Sequence, residues 1–528
     1  MKRSFLEDYV TIMLMRNKFL FISFLSFFFI IGFFSCNGDQ PPATTANDSS
    51  VQQGKTLAVT YCQSCHLLPD PSLLDKKSWV DGVLPAMGPH LGIFAYGTSI
   101  YPSKRTDPNV NKSYYPSQQI ISFSQWQAII DYYKATAPDS LTQQRKDYIK
   151  DDLKLFAVLK PGSHALPATC YVKIDSSGKS IIYCDAIAKK IFRYDRHLQV
   201  SDSATVSGPV VDINFKKSEW IICNIGNINP NDEKLGTADV MKFGENKKMK
   251  MSAIPLFDKL ARPVQIAEAD LNKDGKQDYI VCEFGNLTGA LSWMENLGND
   301  KFERHVLRAF PGAIKTYVDD YNHDGLPDIW ALFAQGEEGI FLFTNKGSGN
   351  FEQKEVLRFP PVYGSSSFEL VDLNNDGFPD IVYTCGDNAD YSRVLKPYHG
   401  VYIFLNDGKN NFTQKYFYHI DGCYKAIARD FDGDGNIDIA AISFFADYRN
   451  QPEEGFVYLE NKGNFQFQPH TLPEGEWGRW LTMDVGDLDG DGKPDIILGN
   501  FSVGPTMMKS KIDWKQNPPF IVLKNIKK

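Results

Sequence analysis

The sequence predicts a multidomain chain, a small all-α unit followed by an all-β ring of seven four-stranded blades. Three observations carry that reading. A five-residue cluster, Cys62-Gln-Ser-Cys65-His66, is entered from a segment of helical periodicity. Beyond residue 160 an Asp-rich nonapeptide recurs five times, and an Asn-x-Gly turn with a following Phe comes about twenty residues after four of the copies. At 528 residues the chain exceeds one small domain. Its 56 basic and 64 acidic residues give a net charge of -8 with no basic tract, which argues against nucleic acid as a partner.

Phe19 to Phe34 is almost wholly apolar, with Arg16 and Lys18 before it and Ser35-Cys36-Asn37 directly after. A small residue before Cys at the end of such a core resembles a bacterial lipoprotein signal. The resemblance implies a signal segment over residues 1–36, lipidation at Cys36, and a periplasmic or cell-surface place in the bacterial envelope. An uncleaved membrane anchor is the alternative, and both tether the chain. Met13 and Met15 stand just before this core, whereas Met1 to Ile12 carries Glu7 and Asp8, so an internal start codon is a second reading of the N-terminus. Residues 37–50, rich in Pro, Thr, Asp and Ser, read as a flexible stalk.

Val51 to Tyr61 lacks Pro and sets Gly54, Leu57, Ala58 and Tyr61 on one face, leading into Cys62. Two thiols at Cys-x-x-Cys spacing can bond both vinyl groups of a haem, and the adjoining imidazole then lies under the iron. Half a zinc site or a redox dithiol would use the same two thiols, but no second Cys pair follows nearby. Leu84-Pro85-Ala86-Met87-Gly88-Pro89 offers a thioether in what reads as an irregular loop. Phe123 to Ala135 sets Trp126, Ile129, Ile130 and Tyr133 on one apolar stripe. Haem-motif helix, Met loop and aromatic helix together resemble a class I cytochrome c over residues 51–138. The resemblance implies covalent haem c on Cys62 and Cys65, His66 as proximal ligand and Met87 as distal ligand, with His90 as its rival. It also implies electron transfer as the leading chemistry. Residues 139–154 read as a linker.

From residue 155 onward the repeat dominates. Its loops comprise Asp270, Asn272, Asp274 and Asp278; Asp320, Asn322, Asp324 and Asp328; Asp372, Asn374, Asp376 and Asp380; Asp430, Asp432, Asp434 and Asp438; and Asp487, Asp489, Asp491 and Asp495. Successive copies start 50, 52, 58 and 57 residues apart. Oxygen-bearing side chains at positions 1, 3, 5 and 9 with Gly at 6 suit a turn around a hard cation, calcium above all, while metal-free Asx turns are the alternative. An EF-hand would place Glu at position 12, but Val281, Ala331, Tyr383, Ala441 and Leu498 stand there, inside strand-like runs. Loops and turns together resemble the FG-GAP or VCBS repeat family. Pro209 to Asn227 parallels Asp270 to Asn286 without a complete loop, and a weaker unit runs through Tyr171 to Tyr183, which brings the blades to seven. The last unit supplies three strands and stops. Leu155 to Leu159 is expected to complete it and close the ring.

Counting back from each loop puts Arg262, Lys315, Lys425 and Arg479 on the innermost strands, where they could meet an anion or a carbohydrate at the channel mouth. Trp477 and Trp480 could form a stacking platform beside Arg479. Cys170 and Cys184 are near enough in sequence to pair, although free buried thiols are as consistent with their apolar surroundings. No Ser, His and Asp constellation for hydrolysis is evident. Two function classes follow from these residues. One is a membrane-anchored electron carrier that meets a redox partner protein, its propeller a docking or ligand-binding scaffold. The other is a catalytic propeller, a sugar or alcohol dehydrogenase or a polysaccharide lyase, with the haem as electron exit.

Overall fold

The computed structural model describes residues 48–142, 148–162, 166–216, 218–244, 247–389, 392–504 and 510–527. The apolar segment ending at Cys36, and the stalk up to residue 47, lie outside the described residues. No helix among the described residues is long and apolar enough to cross a membrane.

Two 14-residue helices, α1 (Asp48–Tyr61) and α2 (Phe123–Thr136), form the N-terminal part. Helix α1 starts inside the expected stalk, where the Ser50 hydroxyl donates to Asp131 of α2 at 3.0 Å and fixes its first turn. A capping box of Ser122 and Gln125 starts α2. The helices cross closely because Gly54 has no side chain: a Cβ there would lie 1.9 Å from the Ala128 carbonyl oxygen. Trp126, Ile129 and Tyr133 are buried as the stripe predicts, in a core shared with Ala58, Trp79 and Leu84. The expected Met loop is instead helical. Leu84–Met87 forms one α turn and Gly88–Leu91 a tighter one, with Pro85 and Pro89 early in each turn, where a missing N–H costs nothing.

Seven antiparallel sheets follow, six of them in strand order one to four along the chain; the second departs from the expected four strands by a fifth, Phe257–Leu260, which also pairs with its third strand. Their first strands are Thr169–Asp175, Val210–Phe215, Pro263–Ala269, Ala313–Asp319, Ser365–Val371, Cys423–Arg429 and Trp480–Gly486. Each packs on the first strand of the next sheet, the last on the first, so these strands line the centre. Second strands such as Asp278–Glu283 and Asp328–Phe333 are buried at every position, which accounts for their unbroken apolar runs. The seventh sheet consists of Trp480–Gly486, Asp495–Asn500, Phe520–Asn525 and, from far upstream, Phe156–Leu159. Phe156 pairs with Asn525 and Leu159 with Val522, so the expected closure is present. The end of the expected linker is already fastened: Leu153 N–H donates to Thr471, Thr471 N–H to Lys150, and Ile149 is buried between blades five and six.

Side chains of the first strands bind the blades into a circle. The Tyr171 hydroxyl reaches the backbone of Ile213, Asp212 accepts from Ile266 N–H at 3.2 Å, and Gln265 accepts from Thr316 N–H. Tyr317 donates to the Phe368 carbonyl at 3.1 Å, Glu369 accepts from Ala428 N–H at 2.8 Å, and Lys425 donates to the Met483 carbonyl at 2.8 Å. Asp484 accepts from Ile174 N–H at 2.9 Å and returns the circle to blade one.

The ninth residue of every Asp loop is a second fastener. Asp278, Asp328, Asp380, Asp438 and Asp495 are at most 1% exposed, and each accepts the N–H of an Asn that begins the turn after the third strand. Two of these Asn side chains also cross to the preceding blade, Asn345 to the Leu271 carbonyl and Asn525 to the Phe431 carbonyl. At Asp438 the carboxylate also accepts from Tyr458 OH at 2.6 Å and Phe431 N–H at 3.2 Å.

Two consequences can be measured. Deletion of residues 153–159 reopens the ring and should abolish the propeller's cooperative thermal transition, whereas a dispensable linker would leave it in place. In chelator, Asp438→Ala should lower unfolding free energy by about 3–5 kcal/mol, because three buried donors lose their acceptor. Asp434→Ala, in the exposed part of that loop, should denature close to wild type.

Candidate functional site

Cys62 extends the end of α1, its N–H donating to the Ala58 carbonyl at 2.9 Å, and the chain then turns through Cys65 to His66. Both thiols are free, Cys62 partly buried and Cys65 exposed. Burial, with a smaller contribution from Cys65, pushes the Cys62 thiol up to about 11. His66 Nδ1 lies 2.8 Å from the Leu67 carbonyl oxygen. A carbonyl only accepts, so Nδ1 carries the proton and Nε2 keeps its lone pair, the tautomer in which imidazole ligates a metal.

Met87 and His90 line the same cavity as Cys62, Cys65 and His66, and Trp79, Leu84 and Trp126 give it apolar walls. The His90 ring stands against Tyr114 and Tyr115, with centroids 5.6 and 5.3 Å away. Burial, and to a lesser degree His66, lowers the His90 pKa and favours its neutral form. Two cysteines, an imidazole with a free Nε2, apolar walls, and a thioether and a second imidazole on the same cavity suit a haem. Neither Met87 nor His90 is singled out as the sixth ligand.

This cavity does not end at the helices. At about 1870 Å³ it runs into the mouth of the propeller channel, where Arg262, Lys315, Ser367, Lys425, Arg479 and Asp484 line it. The helical part is seated over blade five, where Val362 and Val394 pack into its core and Tyr398 OH donates to the Leu73 carbonyl at 3.1 Å.

Several expected ligand contacts turn out to be structural. Arg262 and Arg479 reach the cavity wall, but their guanidinium groups are buried and spent on carbonyls. Arg262 donates to Ile228 at 2.8 Å and to Asn227 at 3.3 Å; Arg479 donates to Phe444 and Val503 and lies 3.7 Å over the Phe444 ring. Trp480 is fully buried and donates to the Gly475 carbonyl, so it forms no platform with Trp477. The Cys170 thiol donates to the Cys184 carbonyl at 3.4 Å rather than bonding its sulfur. Asp212 pairs with Cys223 as Gln265 pairs with Cys282, so its counterpart is Gln265 on the channel wall and not Asp270 of the loop. No signal within the repeat marks that role, because it depends on which backbone the neighbouring blade presents.

The five Asp loops share one geometry. Asp270, Asp320, Asp372, Asp430 and Asp487 each accept backbone N–H groups from the fifth and sixth loop residues, for example Asp274 at 3.1 Å and Gly275 at 2.9 Å. The sixth residue has positive φ in all five, from 82° to 92°, as only glycine readily adopts. In blades six and seven the carboxylates of positions 1, 3 and 9 come within 4.8 Å of one another: Asp430, Asp432 and Asp438; Asp487, Asp489 and Asp495. Position 3 is Asn in the other three loops, Asn272, Asn322 and Asn374. Position 5 turns instead to the loop backbone, as Asp324, Asp376, Asp434 and Asp491 accept from the seventh residue. Burial raises the pKa of every position-9 carboxyl, Asp438 to about 6. A carboxyl raised in the fold stabilises it at low pH and loses that contribution as pH rises through the folded value, so at neutral pH these loops carry unrelieved charge. An all-oxygen donor set of this kind could hold a hard cation.

A family model described as an FG-GAP-like repeat matches residues 270–331, 320–383 and 430–498. The chain is 25% identical to integrin alpha-3 of Cricetulus griseus over 194 residues, covering 33% of this chain and 17% of that protein. It is 30% identical to the T-cell immunomodulatory protein homolog of Plasmodium falciparum (isolate 3D7) over 167 residues, covering 28% of this chain and 22% of that protein. The matched region thus spans about a fifth of these curated relatives. Among solved structures, the N-terminal domain of Nup159 overlays at TM-score 0.41 and 11% identity, covering 72% of this chain and 99% of that one. Saccharomyces cerevisiae Sqt1 overlays at TM-score 0.44 and 7% identity, covering 71% and 100%. The strand pairing assigns the fold without them. This chain carries FG-GAP-like repeats on a seven-bladed β-propeller.

Proposed function

We propose that the chain is an envelope-tethered c-type cytochrome whose propeller serves as a docking or ligand-binding scaffold. The supporting observation is the joint position of Cys62, Cys65 and His66, with its free Nε2, on one cavity with Met87 and His90. A haem bound there supplies reversible one-electron exchange. The chain's residues would do the rest. Cys62 and Cys65 anchor the macrocycle, and the Leu67 carbonyl holds the His66 ring in its ligating tautomer. Trp79, Leu84 and Trp126 keep water from the pocket. Met87 or His90 would supply the second ligand to the iron, and a redox partner protein in the envelope would be the other party to electron exchange.

A second reading is favoured by one observation: the pocket opens into the channel mouth and not only to the exterior. Under it, a small molecule oxidised at the mouth would pass its electrons directly to the haem. For the Asp loops we propose calcium, which would neutralise the clustered carboxylates of positions 1, 3 and 9.

An optical redox titration tests the electron-carrier reading. Wild type should show a reversible haem spectrum that His66→Ala shifts or loses. Met87→Ala should lower the midpoint potential if the thioether is the sixth ligand and leave it unchanged if His90 is. A chain without any haem band would contradict the reading. Adding calcium to chelated protein should raise its melting temperature, less so in Asp430→Ala or Asp487→Ala, and a melt indifferent to calcium would count against the loops as cation sites.

A further inference from the structure

Most charged groups on the channel wall are spoken for. Lys173 pairs with Asp484 at 3.2 Å, Glu369 with Arg429 at 2.7 Å, and Asp484, Glu369 and Asp212 also accept backbone N–H groups of the next blade. Lys315 is different. Among the described residues its ammonium has no hydrogen bond and no carboxylate within ion-pairing distance, and it lies over the Tyr317 ring, 5.2 Å from the centroid.

Lys425, whose ammonium donates to the Met483 carbonyl, is near enough for Lys315 to repel it. Burial first, and Lys315 next, depress the Lys425 pKa to about 8. Asp212 is the acidic group that feels both lysines, and burial raises its pKa. With Lys173, Arg429, Glu369 and Asp484 counted, the cations remain in excess. Two ammonium groups therefore face one large cavity with less than their complement of negative charge, and an oxyanion between them would relieve the repulsion.

We infer that the channel, at the level of Lys315 and Lys425, is a binding site for a small oxyanion, a carboxylate- or phosphate-bearing molecule entering through the cavity that Cys62 and His66 also line. The inference deepens the second reading above by naming the chemical class of the molecule at the mouth. The ion would lie between the two ammonium groups, with Ser367 and Thr482, which line the same cavity, as further hydroxyl donors.

Calorimetry on the full calcium-loaded chain at pH 7 reads this directly, with inorganic phosphate, glucuronate and uncharged glucose as probes. Saturable binding of phosphate or glucuronate, and none of glucose, is expected. Preference between the two anions distinguishes a phosphate site from a carboxylate site. Lys315→Met should weaken the bound anion at least tenfold and Lys315→Arg should restore most of the affinity. Lys179→Met, on a distant loop, should bind as wild type. Affinity should also fall as pH rises above about 8, where Lys425 loses its charge. The same titration on Cys62→Ser/Cys65→Ser protein should still give binding, so failure of the haem reading would not be mistaken for failure here. No heat from either anion up to millimolar concentration, or Lys315→Met binding as tightly as wild type, would overturn the inference.

Discussion

A circle of sheets holds only if every innermost strand is fixed to the next, and here that is done by one side chain per blade. Tyr171, Asp212, Gln265, Tyr317, Glu369, Lys425 and Asp484 each reach the backbone of the following blade and so complete the circle. Each bond is worth roughly 1 kcal/mol net, or about 1.5–3 kcal/mol where the side chain is charged, and leaving its buried partner unmet costs about 1–3 kcal/mol. The circle therefore matters most for what its loss would expose. Closure by Phe156–Leu159 follows the same logic at the rim, because without it two sheet edges would stand unpaired. It also ties the segment leading from the helical part to the last strand of the chain.

The Asp loops sit under the same constraint. Their ninth carboxylate is a structural acceptor, holding the loop and the turn after the third strand of its own blade. The burial that comes with this role is what raises its pKa. Each loop is thus stapled from below by backbone donors, with its exposed face left to the carboxylate of the first position and, in blades six and seven, of the third as well.

What could be read from the sequence was what local chemistry specifies. The nonapeptide turn with its glycine, the Asn-x-Gly turns and the orphan strand at 155–159 all state their structural roles within a few residues. The channel wall did not. Arg262 and Arg479 are basic and stand at the entry to innermost strands, but carbonyls that take up their charge come from segments 24 to 35 residues away. Asp212 resembled a degenerate loop ligand because it precedes Ile-Asn, and only the pairing with Cys223 shows it to be the counterpart of Gln265. Met87 looked like a loop residue because prolines surround it, though each proline stands early in a short helical turn where it is tolerated.

Seating the helical part over blade five turns two separate sites into one volume. The cysteines, His66 and the lysines of the channel line a single cavity, which gives the ring a role in what reaches the Cys62 pocket. The central claim is that this pocket holds haem by covalent bonds, and intact mass under denaturing conditions tests it most directly. Protein made in a host that attaches haem c should carry the mass of one haem, and Cys62→Ser/Cys65→Ser should carry none. A wild-type mass equal to the polypeptide alone, or a double variant that keeps the added mass, would contradict it.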